Sequence, residues 1–145
     1  MPERTRSAKQ RGPYVFQYAA KFICTSNLPG TSQTTESFLP GNYQTVVNVH
    51  NPNAKPVRMR TKVALGGKRL ISKFLEASLG PDEVTRFVCR DLRDKFDLNL
   101  IHGAEGFLVI ESTLSIDVIA VYTAGPLGGN VASIDVEQVQ ERRIG

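Results

Sequence analysis

From Val15 onward, apolar side chains return at every second position through most of the chain. Phe16, Tyr18, Ala20, Phe22 and Cys24 alternate with Gln17, Ala19 and Lys21. Tyr43, Thr45, Val47 and Val49 alternate with Gln44, Val46, Asn48 and His50. Val57, Met59, Thr61, Val63 and Leu65 alternate with Arg58, Arg60, Lys62 and Ala64. A period of two puts one set of side chains on each face of an extended strand, so these segments are half-buried β-strands. Further strands are expected over 74–79, 84–89, 107–111, 116–123 and 133–139, with turns marked by Gly, Pro and Asn about every ten residues. Segment 90–98 differs. Leu92 and Phe96 recur at i, i+4 among mixed charges, which predicts one short helical turn. No helix is long enough to cross between parallel strands. The expected fold is all-β, an antiparallel β-sandwich or jelly-roll-like barrel of about eight strands.

The domain expectation follows from where the alternation stops. Residues 1–13 are polar and basic and end in Gly12-Pro13, which predicts a mobile basic arm. One sandwich domain is expected over 14–141, and a frayed tail over 142–145. Asn51-Pro52-Asn53 reads as the turn of a hairpin joining 43–50 to 57–65. Thr113-Leu114-Ser115 reads as a tight link between two apolar runs, both expected at the centre of a sheet and buried on both faces. The polar stretch 25–42 reads as a long surface loop.

The net charge of +4 conceals a strong segregation. Residues 55–73 hold seven bases and no acid, whereas residues 74–141 hold four bases and twelve acids. A dipolar chain of this kind suits contacts between copies better than a uniformly basic nucleic-acid face. Arg58, Arg60 and Lys62 project from one strand face and are the candidate docking residues for an acidic protein or polyanion. No aromatics alternate with them, which argues against base stacking and specific nucleic-acid binding.

Elements of catalysis or metal binding are sparse. Asp91, Asp94 and Asp97 are interleaved with Arg90, Arg93 and Lys95, as in a solvated turn with local ion pairs. Asp135 and Glu137 share a strand face at a spacing that could hold a divalent cation, and a polar outer face explains them as well. His50 and His102 stand next to no nucleophile, and Gly66-Gly67-Lys68-Arg69 lacks the first glycine of a phosphate loop. Cys24 and Cys89 read as two small buried apolar side chains, with a single bridge or a reactive thiol as alternatives. No catalytic residue, cofactor or metal site is assigned, and the chain is expected not to be an enzyme. It carries no apolar run of membrane-spanning length and no secretory signal, so a cytoplasmic address without membrane insertion is expected.

Three segments carry a resemblance: Thr45–Arg60 (TVVNVHNPNAKPVRMR), Leu79–Leu92 (LGPDEVTRFVCRDL) and Gly106–Thr123 (GFLVIESTLSIDVIAVYT). Together they resemble small uncharacterised bacterial β-sandwich proteins and, more distantly, the sensory rhodopsin transducer family. The resemblance implies a cytoplasmic sandwich that self-associates, typically as a tetramer, and acts by binding as a structural or adaptor module. It transfers architecture and assembly, and no residue roles. The basic arm, the 25–42 loop and the C-terminal strand depart from it.

In Ile116–Thr123 the only charge is Asp117. If Ile116, Val118, Ala120 and Tyr122 fill the core, Ile119 and Val121 form a second face too apolar to be left in water. They are expected at a subunit contact or under the 25–42 loop, with Asp117 at the rim and paired with an arginine of a neighbour.

Overall fold

The computed structural model describes residues 12–27, 39–66, 70–98 and 104–145. The fold is an antiparallel β-sandwich, which among the described residues has nine strands and one short helix: β1 (Phe16–Asn27), β2 (Gly41–His50), β3 (Val57–Leu65), β4 (Leu75–Leu79), β5 (Val84–Phe87), α1 (Asp91–Asp94), β6 (Ala104–Ser112), β7 (Asp117–Gly125), β8 (Ser133–Gln138) and β9 (Glu141–Arg143). The first sheet runs β4-β3-β6-β1-β9, and the second runs β5-β2-β7-β8. β1 belongs to both. Its length from Phe16 to Cys24 pairs with β6, and its last three residues pair with Gly41–Tyr43 of β2. A strand that changes sheets is how such sandwiches turn a corner.

The alternation read from the sequence sets the register. Val57, Met59, Thr61, Val63 and Leu65 are buried, and so are Tyr18, Ala20, Phe22, Val47, Val49, Val118 and Ala120. Leu92 and Phe96 bring the helical turn onto this core. A one-residue slip of β3 would trade its apolar row for three charges, so its register is strongly determined. Gly106 meets a different constraint: a Cβ there would lie 2.2 Å from the Ala64 carbonyl oxygen. Only glycine lets β3 and β6 approach so closely at that point.

Several connections differ from expectation. β2 and β3 do not form a hairpin; they lie in opposite sheets. Pro52 and Pro56 offer no N–H to a ladder, and the loop is organised by Asn51, which is wholly buried. Its amide nitrogen donates to the carbonyls of Lys55, Leu79 and Gly80, and its amide oxygen accepts from the backbone and side chain of Asn53. Thr113–Ser115 likewise arches from β6 in one sheet to β7 in the other. Both strands are central in their sheets, but only one face of each is fully buried. Phe107 on β6 is 45% exposed.

The residues expected to fray are also ordered. Arg143, Arg142 and Glu141 pair with Phe16, Gln17 and Tyr18, and the Ile144 amide donates to the Val15 carbonyl. The sandwich therefore gains a ninth strand. The two cysteines, read as separate buried side chains, form a disulfide. Cys24 sits where β1 leaves the first sheet, Cys89 follows β5, and the fold brings their Cα atoms to 5.6 Å, within bridging range. Most of the basic arm and of the 25–42 stretch, with His102 and the Gly67–Arg69 segment, lies outside the described residues. No helix among the described residues is long and apolar enough to cross a membrane.

Candidate functional site

The basic strand is not the open docking face its sequence implied. Arg60 places its Nε and Nη2 at 2.7 and 2.6 Å from Glu111 Oε1 across the β3–β6 pair. The Glu111 side chain is 2% exposed and that of Arg60 13%. Gln17 Nε2 donates to the second carboxylate oxygen at 3.0 Å. The guanidinium also stacks on the rings of Tyr14 and Phe74, at 4.5 and 4.1 Å from their centroids. Such stacking suits Arg because its planar cation is weakly hydrated. Lys62 lies over the same Phe74 ring. Of the three candidate docking residues, only Arg58 is exposed. For Arg60 the physical reason is Glu111: an acid on the outward row of a central strand draws the arginine opposite it onto itself.

Tyr14, just before β1, is buried against this network, and its hydroxyl donates to Glu76. Burial, with Glu76 adding to it, raises its pKa. A second cluster fastens the C-terminal strand. The Tyr18 hydroxyl donates to Glu141 Oε1 at 2.6 Å and accepts from the Ile116 amide, and the Ser115 hydroxyl donates to the same carboxylate oxygen. Burial and the bond to Glu141 push Tyr18 up to about 12. The bonds from Ser115 and Tyr18 hold Glu141 below the usual carboxylate range. These bonds tie the C-terminal strand to β1 and to the start of β7.

His50 joins three elements. Its Nδ1 lies 2.8 Å from Asp117 on β7, and its Nε2 lies 3.2 Å from Asp82 in the β4–β5 turn. With both ring nitrogens engaged, the imidazole is a clamp rather than a free general base. Among the described residues, no group of three or more His, Cys, Asp or Glu is placed to hold a metal ion. The bond to Asp117 raises the His50 pKa, Asp82 adds to this, and partial desolvation opposes it. A histidine whose folded pKa exceeds its unfolded value of about 6.5 stabilises the fold fully below that value. The contribution is lost as pH rises through the folded pKa. The melting temperature is therefore expected to fall as pH rises above about 6.5, and His50→Gln should flatten that slope. A slope unchanged by the substitution would assign the pH dependence elsewhere.

The most continuous surface feature is the outer face of the second sheet. Val46 on β2 lies opposite Val121 on β7, and Val121 lies opposite Val136 on β8. Ile119 and Ile134 flank this row on the same face. Ile119 and Val121 are half-buried, whereas Ile134 and Val136 are 65% and 61% exposed. β8 is inverted relative to expectation. Asp135 and Glu137, read as its outer polar face, lie opposite the inward residues Tyr122 and Ala120, and the two aliphatics face out. Asp117 lies two residues before Ile119 on the same face and pairs with His50 of its own chain. Arg86 stands beside Asn48, the neighbour of Ile119. Next to the patch, a pocket of about 350 Å³ is lined by the uncharged groups of Asn42, Gln44, Thr123 and Asn130.

No family model matches the chain, and a search of curated proteins finds no relative. The crystal structure of Thermotoga maritima 1070 is similar in fold, with a TM-score of 0.54 over 89% of this chain and 94% of that one, at 8% sequence identity. At that identity the likeness extends to the fold alone, an all-β sandwich.

Proposed function

We propose that the chain acts by binding rather than by catalysis, as a sandwich module that assembles with copies of itself through the outer face of its second sheet. The observation that carries this is the aligned row Val46–Val121–Val136 with Ile119 and Ile134 beside it. Monomeric proteins rarely leave a contiguous apolar patch of more than a few hundred Å² in water, and one rimmed by polar groups marks a contact surface. Arg86 and Asp117 edge the patch with opposite charges. Opposite charges at the edge of a contact set register more than affinity.

The cellular address belongs to the same proposal. Stable intrachain disulfides are rare where thiols are kept reduced. The Cys24–Cys89 bond thus favours an oxidising compartment over the cytoplasm expected from the sequence.

Ile119→Lys and Val121→Lys test the assembly, read by size-exclusion chromatography and thermal melting. Each is expected to yield a smaller, folded species that melts cooperatively. A lower melting temperature with unchanged size would mean that the face is covered from within the chain. No change in either property would mean that it is simply exposed.

A further inference from the structure

β8 ends the second sheet, and among the described residues no strand pairs with its outer edge. All six of its residues are exposed. An open edge is a template for another strand, and the side chains along it decide which strand it accepts. Asp135 and Glu137 lie on one face of β8, about 7 Å apart as i, i+2 neighbours on a strand. Charges aligned in this way repel a second β8 laid alongside, and they favour a strand with bases at the same spacing.

The chain contains a segment with that charge and spacing. Residues 1–11 carry Arg4, Arg6, Lys9 and Arg11 against the single acid Glu3, and Arg4 and Arg6 are themselves i, i+2 neighbours. Eleven extended residues reach roughly 36 Å, more than the roughly 20 Å that six paired residues need. The segment leads into Gly12-Pro13 and then Tyr14, which is anchored on the outer face of the other sheet against Arg60.

We propose that the arm formed by residues 1–11 of one copy adds as a strand to β8 of a second copy, with Arg4 and Arg6 opposite Asp135 and Glu137. This rests on the self-assembly proposed above and deepens it: the aliphatic face supplies contact area, and the exchanged arm supplies specificity and salt dependence.

The test is sedimentation velocity at low salt on the full chain, a chain lacking residues 1–11, the Arg4→Glu/Arg6→Glu variant and the Asp135→Lys/Glu137→Lys variant. Each change is expected to weaken association by about tenfold or more. The combined four-site reversal is expected to restore it, which a merely misfolded variant could not do. The proposal is overturned if association is indifferent to all three changes. It is equally overturned if they lower only the melting temperature, which would place the arm on its own chain. Assembly that survives arm deletion but is lost in Val121→Lys leaves the sheet-face reading standing and removes the arm. A full chain that never associates removes both.

Discussion

Glu111→Ala is expected to destabilise the fold by about 3–5 kcal/mol, as removal of one partner from a buried ion pair does. The carboxylate takes two bonds from Arg60 and one from Gln17. Without it, the guanidinium keeps its place over Tyr14 and Phe74 but loses the carboxylate it bonds, with little access to water. The effect should extend to Tyr14, which packs on Arg60. Replacing both members, with Glu111→Leu and Arg60→Met together, should recover most of the loss, since an apolar pair of similar volume leaves no unpaired charge. Urea titration of the single and double variants at neutral pH measures both values. A loss below about 1 kcal/mol for Glu111→Ala, the range of an exposed pair, would show that the network is solvated and Arg60 is available to a partner.

The second large effect belongs to the disulfide. Cys24 and Cys89 are 65 positions apart, and the loop-entropy estimate for a closed loop of that size is about 4 kcal/mol. Measured losses on removing native bridges are about 2–5 kcal/mol. Cys24→Ala/Cys89→Ala should therefore lower the melting temperature substantially, and reductant should do the same to the native chain while leaving the variant unmoved. The bond ties the point where β1 changes sheets to the connection after β5, so the loss should appear first as weakened protection of Thr25–Asn27 and their partners in β2. An unchanged melt under reductant would show that the bond contributes little, and would remove the case for an oxidising compartment.

The strands were legible because burial on one face imposes a two-residue period that only an extended chain satisfies. Their partners were less so. The loop after β2 reads as a hairpin turn, yet a buried Asn51 and two prolines make it an arch between sheets. β9 was missed because Glu141-Arg142-Arg143 has no apolar alternation; its order comes from backbone pairing with β1 and from the Tyr18–Glu141 bond, neither of which leaves a local trace. Glu111 did leave one, as the acid that ends the apolar run from Phe107, and the basic strand was its natural complement. The inverted β8 was hidden because Ile134/Val136 and Asp135/Glu137 alternate equally well in either orientation. Ile119 and Val121 stand out in the sequence because a two-faced apolar strand cannot hide both faces in one sandwich. The rest of their patch, Val46, Ile134 and Val136, required the register of three strands.

Assembly through the second sheet is tested most directly by sedimentation equilibrium of the oxidised native chain at low salt, over a concentration range reaching high micromolar. The expected result is a mass that rises to a defined multiple of 16.0 kDa. A single species of 16.0 kDa across the whole range would contradict it.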